Sequence, residues 1–259
     1  MKKRTPSTRW LRYSLLSVIL ALVAYLALGF GGRSFEDFCP FGGVESLWGL
    51  YQTREFSCTL GPLNLSLLIG VLLLALVAKK AFCGWACPIG FLGELGARLT
   101  GLFWKKRPQP SPKVNSALKG LRYLALALTL YFTYKSGELI LRGYDPFFLI
   151  FSGFGHGALG ITSWIVLGAL VAGALLIPMF FCRYLCPLGA TLDPLSRLGV
   201  LKVVRNEATC TMCNVCQKKC PQNLAPQSVV KLRHRDCTLC LECVDACPVK
   251  DALELKATL

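Results

Sequence analysis

Four apolar runs constrain this chain more than any other feature: Tyr13 to Phe30, Leu63 to Ala81, Leu121 to Tyr134 and Ile161 to Phe181. A bilayer core takes roughly 20 apolar residues per helix, and lipid offers the backbone no hydrogen-bond partners. The first, second and fourth runs are long enough to span, and the third is the shortest. With a hydrophobic fraction of 54%, the composition exceeds that of a soluble domain of this length. The runs predict an all-α membrane domain of four transmembrane helices. The basic start MKKRTPSTRWLR precedes the first run as it would in a signal peptide. No small-residue cleavage site follows, so an uncleaved anchor is expected.

The formal net charge of +15 raises nucleic-acid binding, and its distribution answers the question. Lys and Arg gather before Tyr13, between the second and third runs, and from Arg183 to Arg205, with few in the two opposite loops. That asymmetry follows the positive-inside rule and predicts a multi-pass protein of the cytoplasmic membrane with both termini in the cytoplasm. Residues 206–259 nearly balance basic against acidic side chains, so no electrostatic footprint for a nucleic acid is present.

Fourteen cysteines fall into three groups. The C-terminal eight are Cys210, Cys213, Cys216 and Cys220 before Pro221, then Cys237, Cys240, Cys243 and Cys247 before Pro248. Each set follows C-x2-C-x2-C-x3-C-P, the spacing that holds a [4Fe-4S] cube, with the fourth cysteine serving the other cluster in two-cluster ferredoxins. Cys210, Cys213, Cys216 and Cys247 are therefore assigned to one cluster, and Cys237, Cys240, Cys243 and Cys220 to the second. Pro221 and Pro248 are expected to stop the short helix after each set. Structural zinc uses four ligands per ion in knuckle pairs, which two identical four-cysteine runs exceed. A reducing cytoplasm disfavours disulfides there. The expected organisation is residues 1–205 as the membrane domain and 206–259 as a small α+β ferredoxin domain carrying two clusters on the cytoplasmic side. Asp193 to Thr209 is read as the region linking them.

The membrane half reads as a two-fold internal repeat. One apolar run leads to FCPFGG at 38–43, and the next ends in Cys83 and Cys87 before Pro88. Another leads to YDPFFL at 144–149, and the last ends in Cys182 and Cys186 before Pro187. Residues four apart share a helix face, so each C-x3-C pair is expected to present two sulfurs together. Each proline should end the helix at the second cysteine, and Gly90 and Gly189 should permit the turn onward. Three readings of these four thiols stay open: ordinary buried thiols, ligands of an additional metal or cluster, or a redox element near a quinone. Cys39 and Cys58 fall in a predicted outer loop. An oxidising periplasm permits a disulfide between them, and closing that loop would contribute roughly 3 kcal/mol.

The chain's only histidines are His156 and His234, so a bis-histidine haem within the spans is excluded, as is covalent haem on its C-x2-C-H motif. No glycine-rich βαβ fingerprint supports a flavin or nicotinamide. A quinone needs an apolar slot with a few polar groups, and Glu138, Arg142, Asp145 and His156 are the weak candidates near DPFFLIFSGFG. Arg183 and Arg98 flank the thiol motifs on the inner side and stand where a headgroup would be oriented, although the positive-inside rule already accounts for them.

With CGWACP, CRYLCP, CTMCNVCQKKCP and CTLCLECVDACP in this order, the chain resembles the NapH family of membrane ferredoxin-type quinol dehydrogenase subunits, and more widely the NosR, MauN and CcoG group. The resemblance implies four membrane helices and two cytoplasmic [4Fe-4S] clusters. It also implies electron exchange between the quinol pool and a periplasmic ferredoxin or cytochrome subunit that serves a terminal reductase. The alternative it carries is a CcoG-like copper-handling, cupric-reductase or metal-centre assembly protein.

Overall fold

The computed structural model describes residues 7–28, 40–44, 47, 62–103, 110–136, 145–152 and 161–258. Helices α1 (Ser7–Ala27), α2 (Pro62–Ala78), α3 (Ala81–Trp85), α4 (Pro88–Phe103), α5 (Pro112–Ser136), α6 (Pro146–Ser152), α7 (Ile161–Leu176), α8 (Phe180–Tyr184) and α9 (Pro187–Leu198) precede strand β1 (Leu201–Arg205). Two short helices, α10 (Val215–Lys219) and α11 (Glu242–Asp245), and strand β2 (Leu253–Ala257) complete the chain.

Long helices coincide with all four apolar runs. Among the described residues, one helix, Thr8–Ala27, is long and apolar enough by itself to cross a membrane, and Leu63–Ala78 and Ser163–Leu176 are shorter apolar helices. The third run belongs to the longest helix rather than the shortest. α5 has 25 residues because helix-compatible residues continue N-terminally from the apolar run to Pro112, which suits the first helical position. Lys113, Lys119, Arg122 and Lys135 make it amphiphilic.

The region expected as a linker is ordered secondary structure. Asp193 to Leu198 completes α9, and residues 201–205 form β1, which pairs antiparallel with β2 in the register Leu201↔Ala257 to Arg205↔Leu253. A boundary at 205/206 therefore cuts β1 from the strand that satisfies its backbone. The chain divides instead into an iron–sulfur unit (Met1–Val18, Leu72–Cys87, Leu192–Leu259) and a helical unit (Ile19–Val71, Pro88–Thr191).

In the helical unit, small residues admit close neighbours. A Cβ added at Gly173 of α7 would lie 2.6 Å from the Phe180 ring, and one added at Gly43 would lie 2.5 Å from the Asn64 carbonyl oxygen. Arg183 and Tyr184 of α8 are buried and both donate to Asn115 Oδ1 of α5, each at 2.8 Å. Arg98 pairs with Glu94 one turn away on α4 at 3.1 Å.

In the iron–sulfur unit, Val203, Leu224, Leu232, Leu239 and Leu253 form a core with Cys216, Cys237 and Cys243, joined by Ala78 from the end of α2. Each fully buried aliphatic side chain contributes about 1.5–3 kcal/mol. Buried cations hold the same unit together. Arg12 Nε donates to the Gly84 carbonyl at 2.8 Å, and its Nη1 meets Glu242 Oε1 at 3.1 Å. Lys80 Nζ lies 2.6 Å from Asp193 and 3.8 Å from Asp236. Thr8 Oγ1 donates to Asp245 at 2.8 Å. Part of the basic charge that the positive-inside rule would claim is thus structural. Arg12, Lys79 and Lys80 are buried and bonded at defined positions.

Gly84 and Trp85, inside the first C-x3-C motif, touch the loop of the second four-cysteine run. A Cβ at Gly84 would sit 2.6 Å from the Thr238 carbonyl oxygen and 3.2 Å from its Cβ. Trp85 Nε1 donates to the Leu239 carbonyl at 3.0 Å. Thr238 and Leu239 separate Cys237 from Cys240, so the approach reaches the cysteine loop directly.

These contacts set the stability of the chain. Gly84→Ala should lower the melting temperature of the purified chain, because the new methyl meets backbone that cannot swing away. Gly96→Ala on α4 should leave it level or raise it, since an added Cβ there meets nothing within 4 Å and Ala favours helix by about 0.5–1 kcal/mol. Lys80→Met leaves Asp193 and Asp236 buried without their cation and should destabilise by about 3–5 kcal/mol. In denaturant melts, the double variant Lys80→Met/Asp193→Asn should recover part of that loss.

Candidate functional site

Both four-cysteine loops use the same backbone device. Met212 and Asn214 flank Cys213 with φ of 54° and 60°, and Leu239 and Leu241 flank Cys240 with φ of 47° and 59°. Left-handed backbone costs a non-glycine residue about 1–2 kcal/mol, so four such residues at matching places mark a shape imposed by the loop. Left-handed residues alternating with ordinary ones turn successive amides toward one side, forming a concavity suited to an anion. The Val215 amide bonds the Cys213 sulfur, and the Leu239 amide bonds the Cys237 sulfur.

Two cavities open inside these loops. One is lined by Cys210, Cys213, Cys216 and Cys247. The other is lined by Cys220, Cys237, Cys240 and Cys243. Each receives three cysteines from one run and the fourth from the other. α10 stops at Lys219 and Cys220 turns to extended backbone (φ −73°, ψ 119°) before Pro221, which carries its thiol across. α11 ends at Asp245, and Cys247 before Pro248 makes the reciprocal crossing. Among the described residues, no three His, Cys, Asp or Glu side chains are gathered closely enough to share a single metal ion. The eight sulfurs instead divide four to each cavity, the ligand number that a [4Fe-4S] cube takes.

The two cavities differ electrostatically. Cys213 is exposed, and hydrogen bonds from the Val215 amide and Thr211 hold its thiol below the ordinary value. Around the second cavity, burial pushes the Cys220 thiol up to about 12, with Cys240 adding to the rise. Burial also raises Cys237 and Cys243. Thiols of this kind keep their protons until a cation of high charge displaces them, so metal loading releases protons and contributes to folding. In the first cavity, Cys216 lies 3.3 Å from Gln227 Oε1, and Gln227 is anchored by Gln217 at 2.6 Å.

The C-x3-C pairs depart from the expected geometry. α2 stops at Ala78, Lys79 turns left-handed at φ 55°, and the five-residue α3 carries Cys83. The amides of Ala86 and Cys87 both point to the Phe82 carbonyl, at 2.9 and 3.0 Å. Cys87 therefore lies beyond α3, and Pro88 opens α4 instead of ending a helix. The second motif repeats this form, with Met179 left-handed at φ 54°, Cys182 in α8, Cys186 at the junction, and Pro187 opening α9. Proline lacks only an amide that the first helical turn leaves unbonded, so it starts a helix readily. Gly90 and Gly189 fall inside α4 and α9. The Gly189 amide donates to Cys186 Sγ at 3.4 Å. None of the four is in a disulfide, and all are half-buried. Cys83 and Cys87 belong to the iron–sulfur unit, and Cys182 and Cys186 to the helical unit.

Of the quinone candidates, Asp145 caps α6, accepting from the Phe147 amide at 3.3 Å. Glu138, Arg142, His156 and the Cys39–Cys58 pair lie outside the described residues. Composition and spacing did not single out Arg12, Lys79, Lys80, Gly84, Trp85 or Gln227. The one available signal was the difference between CGWAC and CRYLC, where the first motif holds glycine and tryptophan in place of arginine and tyrosine.

Comparison with known proteins agrees with this geometry. A family described as a 4Fe-4S dicluster domain matches residues 202–248, a span that takes in most of β1 as well as all eight cavity cysteines. A family described as a 4Fe-4S binding domain matches twice, at 60–107 and 159–206, over the two C-x3-C-P segments. The putative electron transport protein YccM of Escherichia coli is 29% identical over 84% of this chain and 62% of its own length. The uncharacterized protein MJ0750 of Methanocaldococcus jannaschii is 35% identical over 80% of this chain and 84% of its own. The ferredoxin-type protein NapH of Haemophilus influenzae is 28% identical over 70% of this chain, which spans 63% of that relative. No solved structure matches. Two cavities each ringed by four cysteines, the dicluster match across them and relatives along most of the chain make one statement: the chain belongs to the NapH-like family of ferredoxin-type iron–sulfur electron-transfer proteins.

Proposed function

We propose that this chain is a membrane-bound subunit that passes electrons between the quinol pool and a periplasmic ferredoxin or cytochrome partner of a respiratory reductase. The observation that carries the reading is the pair of cavities in which the two cysteine runs exchange their fourth ligand. In this reading Cys210, Cys213, Cys216 and Cys247 hold one [4Fe-4S] cluster, and Cys220, Cys237, Cys240 and Cys243 hold the other. When bound, each cluster supplies a one-electron couple. Oxidation of a quinol to a quinone releases two electrons and two protons, so two one-electron couples in one chain match that stoichiometry.

The protein's own residues divide the work. The core around Cys237 and Cys243 excludes water from the second site. Exposed Cys213 leaves the first within reach of another protein. Gly84 and Trp85 fix the first C-x3-C segment on the Cys237–Cys240 loop, which gives electrons a bonded route between Cys83 and the second site. The helices over the four apolar runs support four spans with both termini in the cytoplasm, and Asp145, at the turn into α6, stays a candidate for the quinone end. The matches of a 4Fe-4S binding family over Cys83, Cys87, Cys182 and Cys186 favour a metal or cluster role for these thiols over inert packing.

Anaerobically purified chain should contain about eight irons and eight sulfides if only the two cavities are filled, and more if the C-x3-C thiols also carry a group. Cys247→Ser should alter the same electron paramagnetic resonance signal as Cys210→Ser, and Cys220→Ser the same signal as Cys237→Ser. Pairing within each run instead of between runs would refute the ligand exchange. A reduced quinol analogue should bleach the visible cluster absorbance of the membrane-embedded protein. Clusters indifferent to quinol, together with stoichiometric copper binding that Cys83→Ser and Cys182→Ser abolish, would replace this function with copper handling.

A further inference from the structure

Lys79 is 1% exposed and follows α2 in left-handed backbone. Its Nζ donates to the Leu232 carbonyl, and Leu232 lines the cavity ringed by Cys220, Cys237, Cys240 and Cys243. The path of the side chain is prepared by Gly199, where a Cβ would fall 2.6 Å from Lys79 Cγ. The neighbouring Val200 amide ties the same place to the Leu76 carbonyl at 3.3 Å.

A neutral carbonyl is a poor counter-charge for a buried ammonium, which needs an anion or gives up its proton. Lys202 and Arg233 face Lys79 with the same sign of charge. The opposing influence comes from Cys237, whose thiol Lys79 in turn pulls toward the thiolate. Four thiolates around a cubane carry net negative charge, and one electron adds another unit. At the first cavity water reaches Cys213 and can answer that charge. Around the second, burial opposes it, and Lys79 is a buried cation bonded to a residue of its wall.

We propose that Lys79 is a positioning residue for the second cluster, whose buried ammonium offsets the charge arriving with the electron and holds that cluster's reduction potential above the value burial alone would set. The proposal rests on the two-cluster reading above. It assigns Lys79 a role distinct from ligation: the cluster core gains one electron, a one-electron reductant loses one, and no bond to Lys79 forms or breaks.

The test is a dithionite titration of the full chain in detergent, followed by electron paramagnetic resonance, with Cys213→Ser identifying the first cluster's signal. Lys79→Met should keep the wild-type iron content and lower the second cluster's midpoint while the first stays in place. Lys79→Arg, which retains the charge, should stay near wild type. Unmoved midpoints in Lys79→Met, an equal fall of both clusters, or an equal fall in Lys79→Arg and Lys79→Met would each overturn it. Loss of iron in both variants would also overturn it, making Lys79 a residue of cluster assembly. Wild-type protein without two reducible clusters would fail the underlying reading, and the inference with it. That failure is distinguishable, because it shows in the iron count before any variant is made.

Discussion

Buried cations at the end of α2 and the start of α1 are what the iron–sulfur unit depends on. Arg12 joins the Gly84 carbonyl to Glu242 of α11, Lys80 joins Asp193 of α9 to the neighbourhood of Asp236, and Lys79 reaches Leu232. Taking such charges out of water is unfavourable, and the loss is repaid only when geometry and partners are nearly complete. Two of these partners sit beside a cluster-loop residue: Glu242 precedes Cys243, and Asp236 precedes Cys237. A displacement of the cysteine loops by an ångström would strand several charges at once. The loop geometry and the helix ends therefore specify each other.

This coupling explains why a membrane-type sequence and a ferredoxin-type sequence form one unit. A flexible tether after α9 would leave the spacing between the C-x3-C segment and the second cavity to chance. Instead, α9 runs to Leu198, the chain turns at Gly199, and β1 enters the two-stranded sheet immediately. The strand that closes the ferredoxin core, β2, pairs with the segment arriving from the helices. Contact at Gly84 then brings backbone to backbone, with no side chain between them.

How much of this was legible from residues alone depended on whether the chemistry lay in a side chain or in its environment. Eight cysteines at fixed spacing announce which of them should gather, and the cavity linings follow that grouping residue by residue. Helix positions followed from apolar runs for the same reason, since periodicity and length are local. Lys79, Lys80 and Arg12 were hidden because the positive-inside rule predicts basic residues at those places whether or not they are buried. Pro88 and Pro187 misled because proline both ends helices and begins them, and only the short α3 and α8 show which applies. Gly84 was hidden for a different reason: what matters there is the missing Cβ, and absence has no motif.

The two C-x3-C segments show how one backbone form came to serve two ends. Both have a left-handed residue, a five-residue helix with the first cysteine, the second cysteine at a junction, and a proline opening the next helix. Inside that shared frame the variable pair decides the partner. Gly84 and Trp85 offer a bare backbone and a single indole donor, which suits docking on the Thr238–Leu239 carbonyls. Arg183 and Tyr184 offer two donors to one amide oxygen of Asn115 and anchor α8 to α5 within the helical unit. Exchanging the pairs would place a guanidinium where only a hydrogen fits and leave Asn115 without its donors. The asymmetry is therefore structural as well as sequential: the first copy meets the ferredoxin loops, and the second stabilises the helices.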